Sequence, residues 1–160
     1  MAGFVTFPDL ALNQVAAHRK VDAAMRAAGL ALRDAAAGVE AYGLAAAHIG
    51  LIEPVSVVSL APLGQARDYL AMFNPVVLAA AVERAFGPEG SVSMPGIEVP
   101  IERALWVEIG FDDEDGAHQT RRLEGFAARV AQHEIDQVNG VFLLAAAVER
   151  AFGPEGSVSM

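Results

Sequence analysis

Two stretches with helical spacing bracket a row of short strand-like runs, and that order narrows the fold more than any other feature of the chain. From Val21 to Ala36, apolar residues fall at 21, 24, 25, 28, 32, 35 and 36, leaving Arg26, Arg33 and Asp34 for a wet face. Gly38 is the expected stop. The second stretch runs from Phe126 to Val138, where Phe126, Val130, His133, Glu134 and Gln137 share roughly one face. Between them, VSVVSL (55–60), YLAMF (69–73), ALWVEIGF (104–111) and HQTRRLEG (118–125) have the β-branched and aromatic content of strands, with Pro and Gly punctuation. Asp115-Gly116 marks a two-residue hairpin turn between the last two. Short strands flanked by two helices predict an α+β domain with antiparallel pairing.

At 160 residues the chain suits one domain with a sizeable core. Hydrophobic residues reach 54%, swollen by alanine, yet no apolar run nears the ~20 residues a bilayer span needs. The opening MAGFVTFPDLALNQ lacks a basic segment followed by a long apolar one, so a soluble, cytoplasmic chain is expected. A net charge of −9 with scattered acids opposes binding to phosphate backbones, which excludes nucleic acid as the expected partner. The run Asp112 to Asp115 reads as a hairpin tip rather than a calcium site, because Gly116 follows it. The absence of cysteine excludes disulfides and thiolate ligands, so any metal must sit on His, Asp or Glu. His18 and His118 fall in polar surroundings and are expected in solvent, and Trp106 in the core or on a sheet surface.

LAAAVERAFGPEGSVSM occurs twice, at Leu78 to Met94 and at Leu144 to Met160. Two copies at this separation are too few for a solenoid and point to a duplication or joining event. Each copy carries a helical stripe: Leu78, Ala81, Val82, Ala85 and Phe86 in the first, Leu144, Ala147, Val148, Ala151 and Phe152 in the second. The first follows Asn74-Pro75 and leads into strand-like sequence, so its context decides its conformation. The second is expected to be a tail beyond a domain of residues 1–143, helical to about Phe152 and then frayed. Because both copies offer the same side chains to the same groove, the chain is expected as a monomer or a tail-exchanged dimer.

AQHEIDQVNG (131–140) resembles half of a metal-binding HExxH helix, in which histidines four apart share one face. Here Gln137 stands where the second imidazole belongs. A histidine, a carboxylate and an amide on an apolar face are costly to bury without partners, so something polar must meet them.

GLAAAHIG (43–50), EGSVSMPG (89–96) and QHEIDQVNG (132–140), in that order, resemble the three motifs of peptide deformylases. FPDLAL (7–12) is similar to that family's opening, and the likeness runs from about Phe4 to Phe142. The resemblance implies antiparallel sheets around the helix that carries HEIDQ. It also implies an ancestral activity, removal of the formyl group from N-terminal methionine with a bound divalent metal. It places the family's metal ligands at Ser91, His133 and Gln137, its general acid/base at Glu134, and its oxyanion donors at His48 and the backbone N–H of Val92. Gly43 is a glycine of the first motif, whose initial glycine is replaced by Ala41, and Glu89 with Arg103 is the pair that braces the second motif. Read without the family, Glu89 and Arg103 are equally an exposed pair worth little.

Two of three ligands have changed, to a neutral hydroxyl and a neutral amide, where zinc or ferrous iron prefers thiolate and imidazole. Loss of a group that merely braces a ligand costs roughly 10 to 100-fold, so two direct losses predict at least about 10²-fold to 10⁴-fold. One oxyanion donor lost would cost about 3 kcal/mol more. Two functional readings follow. In the first, the chain keeps the fold and a cleft for peptide N-termini without deformylase activity, and it binds no metal tightly. Ribosome docking is not expected, since the family's basic C-terminal helix is absent from this alanine-rich tail. In the second, it is a working hydrolase on a weak or rearranged zinc, iron or nickel site in which His48 joins His133 and Glu134. A serine variant of this reading activates Ser91 through His133, but Glu134 points about 100° away along the helix and no other orienting acid is evident.

Overall fold

The computed structural model describes residues 3–146. Its elements are α1 (Ala23–Val39), β1 (Gly43–Ala45), β2 (Val55–Ser59), β3 (Tyr69–Ala80), β4 (Arg84–Ser91), β5 (Met94–Ala104), β6 (Trp106–Asp112), β7 (His118–Glu124) and α2 (Gly125–Val138), with 3₁₀ turns at Leu10–Asn13 and Ala46–Ile49. Strands β1-β2-β3-β6-β7 form one antiparallel sheet, and β4 with β5 forms a second. The expected α+β class with antiparallel sheets is what the chain forms.

Strand β2 shows why α2 is central. All five of its residues are buried. Val55 and Val57 pack with Met25, Leu32 and Ala36 of α1, while Val58 packs with Ala128, Ala131 and Ile135 of α2. Side chains alternate across a strand, so the two helices cover opposite faces of the sheet. A strand covered on both sides reads as the near-continuous apolar run seen in VSVVS. Asp22 caps α1 by accepting from the Met25 N–H at 2.9 Å.

The structure corrects two sequence expectations and decides a third point that the sequence left to context. Helix α1 runs through Gly38 and ends at Glu40, which adopts the left-handed conformation (φ 53). The β6–β7 hairpin is present, but Asp112 pairs with His118, so its loop spans 113–117 rather than two residues. Asp113 organises that loop, its carboxylate accepting from the N–H groups of Asp115 and Ala117. The first copy of the repeat is not helical: it completes β3, turns, and supplies β4 and the start of β5. Pairing of Arg84–Ser91 with β5 outweighs a helical stripe too short to hold a helix alone. Leu78, Val82 and Phe86 of that stripe are accordingly exposed, and only Ala81 is buried. Of the second copy, residues 144–146 are helical, and the expected helix to Phe152, the frayed end and the tail exchange lie outside the described residues. His18 and His118 are exposed, and Trp106 is half-buried under the Arg122 guanidinium.

The N-terminal segment laces over the face that carries all three motifs. Val5 N–H donates to the His48 carbonyl, Phe7 N–H to that of Ser93, and Ala16 N–H to that of Val138. Gly140 permits the closest approach: its φ is +77, and a Cβ there would lie 2.9 Å from the Asn13 oxygen. Gly140→Ala is therefore expected to cost about 1–3 kcal/mol, read as a lower urea midpoint with unchanged slope.

Candidate active site

Four elements bring the motif residues together around a cavity of about 600 Å³. Helix α2 contributes His133 and Glu134, the first motif Gly43 and His48, and the end of β4 with its turn Glu89, Ser91 and Val92. Gly43 acts as a spacer. A Cβ there would fall 2.7 Å from Val130 Cγ1 and 3.0 Å from Glu134 Oε2, so only glycine lets β1 lie this close to α2.

Behind the cavity, Glu89 is the hub of a buried charge network. Arg103 grips it in a bidentate pair, Nε to Oε2 and Nη2 to Oε1, both at 2.9 Å. His133 Nδ1 lies 2.9 Å from Oε1, and Arg129 Nη1 lies 2.7 Å from Oε2. Arg103 also donates to Asp136 at 2.6 Å. Glu89 and Arg103 are 6% and 2% exposed, which overturns the reading of them as a surface pair. The acid that orients His133 is thus Glu89, a residue the sequence placed at the site as the partner of Arg103 but not in this role. Arg129 and Asp136 were missed as well, although Arg129 precedes His133 by one helical turn, the spacing that puts both on one carboxylate.

The same burial sets the charge states. Burial opposes ionisation of Glu89, but the Arg103 pair and then His133 hold its pKa at about 2. Glu134 goes the other way: burial, with Glu89 adding to it, raises its pKa to about 7. His48 is pushed down to about 3 by burial and then by His133. His133 is raised, because the Glu134 and Glu89 carboxylates together outweigh its desolvation.

A stability consequence follows for acid. Glu89 is held below its ordinary 4.5, so its contribution is present above pH 4.5 and lost as pH falls toward 2, about 3 kcal/mol in all. His48 stays neutral in the fold to about pH 3 while the unfolded chain takes a proton below 6.5, which costs stability in the same direction. Below pH 4.5 the two add, and denaturant midpoints are expected to fall steeply there. His48→Gln should make that limb shallower, as measured by urea titration at pH 3 to 5.

Of the residues at ligand positions, His133 and Ser91 line the cavity and Gln137 does not. Ser91 Oγ accepts from the Ser93 N–H at 3.1 Å. Gln137 is buried outside the cavity lining, and its Nε2 donates to the Leu12 carbonyl at 2.7 Å. A different trio does gather: His48, His133 and Glu134 each bring a ligand atom within 4.8 Å of the others, a grouping that could hold a metal ion.

An α+β scaffold whose central helix sets a histidine and a glutamate side by side, facing a glycine-bearing strand and a buried Glu–Arg brace, defines the class: a peptide deformylase-like fold. The chain belongs to the polypeptide deformylase family, whose model matches residues 1–151. A peptide deformylase-like protein of Agrobacterium fabrum is 44% identical over 102 residues, 64% of this chain and 60% of that relative, so the match spans under two thirds of its length. A peptide deformylase of Rhizobium meliloti is 30% identical over 141 residues, 88% of this chain and 81% of that one. The crystal structure of peptide deformylase from Thermotoga maritima aligns with a TM-score of 0.81 at 30% identity, covering 90% of this chain and 95% of that chain. Among the described residues, no helix is long and apolar enough to cross a membrane.

Proposed function

We propose that this chain is a deformylase-like protein without deformylase activity, a cytoplasmic binder of peptide N-termini rather than a metallohydrolase. The observation that carries this reading is what the two altered positions present: Ser91 offers a neutral hydroxyl that accepts from the Ser93 N–H, and the Gln137 amide lies outside the cavity lining, tied through Nε2 to the Leu12 carbonyl. The residues present do not fit the family's ion. One imidazole with a hydroxyl and an amide lacks the charge and basicity that zinc or ferrous iron demands. A cleft for an extended peptide is supported by β1, which lines the cavity and pairs with β2 alone among the described strands.

The trio of His48, His133 and Glu134 favours a second reading, a rearranged metal site with hydrolase activity. Its difficulty is that Glu134 would serve as ligand and as base at once. Elemental analysis of the purified protein, with turnover of formyl-Met-Ala-Ser in added Fe²⁺, Ni²⁺ or Zn²⁺, separates the two. The expected result is substoichiometric metal and turnover no higher than that of Glu134→Ala. Stoichiometric metal with turnover above that control would replace the first reading by the second.

A further inference from the structure

Glu89 and Ser91 stand two residues apart in β4, and both line the cavity together with His133. Glu89 Oε1 lies 2.9 Å from His133 Nδ1, and Arg103 holds that carboxylate in place. With Nδ1 turned to an acid, the imidazole has Nε2 left for the cavity. The Ser91 hydroxyl accepts from the Ser93 N–H at 3.1 Å and makes no other hydrogen bond among the described residues, so its own proton is free to be given. Hydroxyl, imidazole and braced carboxylate are the three parts of an activated nucleophile, and the contact between nucleophile and base often closes only when substrate is bound. A donor for developing negative charge stands beside them. His48 Nδ1 accepts from the Ala45 N–H at 3.0 Å, so the proton of this neutral ring sits on Nε2, which is buried with no partner among the described residues. His48 is 1% exposed, lines the same cavity, and brings a ring nitrogen within 4.8 Å of one of His133.

We propose that the cavity carries a metal-free serine hydrolase activity toward acyl esters, with Ser91 as nucleophile, His133 as its base, Glu89 as the acid that positions the base, and His48 as oxyanion donor. This activity lies beyond peptide binding and needs neither a metal nor a peptide. Ser91 Oγ bonds to the ester carbonyl carbon as its proton passes to His133 Nε2, and His48 Nε2–H meets the charge that builds on the carbonyl oxygen. The bond from carbon to the ester oxygen then breaks, and His133 hands its proton to that oxygen. An alcohol departs and the acyl group stays on Ser91. Water adds to the acyl group by the same route, giving a proton to Nε2, and that proton returns to Oγ as the carboxylic acid is released. An ester suits the site better than an amide, because an alcohol leaves far more readily than an amine, so the activity is separate from deformylation. Walls from Tyr42, Leu44, Leu63 and Phe126 give an acyl or alkyl chain an apolar surface.

The test treats the full chain, as purified and after chelation with EDTA, with an alkyl fluorophosphonate and with p-nitrophenyl acetate. The fluorophosphonate is expected to label one residue per chain, mapped to Ser91 by peptide mass spectrometry, and the acetate ester to be turned over, neither being changed by the chelator. Ser91→Ala removes only a hydroxyl from a half-buried position, so it should fold with a urea midpoint near that of the natural chain, lose the label and lower turnover at least about 100-fold. His133→Gln leaves Ser91 in place and should slow its labelling by a similar factor, and His48→Phe should slow turnover about 100-fold through the lost oxyanion donor. Labelling of Ser91 that depends on His133 is a result that a merely structural serine would not give. An unlabelled Ser91, a label that falls elsewhere on the chain, turnover that survives Ser91→Ala, or turnover lost on chelation would each overturn the inference while leaving peptide binding untouched.

Discussion

The double variant Ser91→Cys, Gln137→His is expected to bind Zn²⁺ or Ni²⁺ stoichiometrically, at least about 100-fold more tightly than the natural chain. The scaffold supplies what those two changes need. His133 is already oriented, because its Nδ1 faces Glu89 and that carboxylate is fixed by Arg103 and Arg129. A histidine oriented this way through Nδ1 is left with Nε2 as its outward-facing nitrogen. At position 137 the present amide donates to the Leu12 carbonyl, and an imidazole can make the same donation from one nitrogen while keeping the other as a ligand. At position 91 a thiolate adds the charge that the hydroxyl lacks. Competition against a fluorescent chelator measures the gain. An affinity unchanged from the natural chain would show that the scaffold itself, and not the two side chains, has lost the metal.

The elements that sequence alone disclosed are those with a strong local signal. Helix α1 has its apolar stripe, β2 is a β-branched run, and α2 carries a motif recognisable by spacing. What escaped was set by distant partners. The repeat shows this directly: its first copy has a helix's periodicity, but β5 lies alongside to pair with it, and residues 84–91 became a strand. The site divides in the same way. His48, Glu134, Glu89 and Arg103 were legible because three motifs fall in a known order. Arg129, which reaches Glu89 and the Ala85 and Ile101 carbonyls, was not, because an arginine on a helix is indistinguishable in sequence from a solvated one. Its partner glycine is the signal that could have found it. A Cβ at Gly87 would lie 3.0 Å from the Arg129 guanidinium carbon, so the two positions constrain each other across 42 residues of sequence, counting from 87 to 129.

Arg103→Met is expected to cost about 3–5 kcal/mol of stability, the largest loss of any single change at the site. Methionine approximates the volume and the apolar stem, so the loss isolates the charge. Arg103 is 2% exposed and makes two bonds to Glu89 and one to Asp136, and its removal leaves a buried carboxylate that only Arg129 and His133 still neutralise. Arg129 is 17% exposed on its side chain, so Arg129→Met should cost less, because water can reach what it leaves behind. The two substitutions should also not add: both act on one carboxylate, and the double variant leaves it almost alone in a buried site. Urea unfolding of the four chains at pH 7 gives the cycle. A loss below about 1 kcal/mol for Arg103→Met would put the pair in the class of exposed ion pairs. It would also detach His133 from its brace, since an imidazole can be oriented only by a carboxylate that is itself held in place.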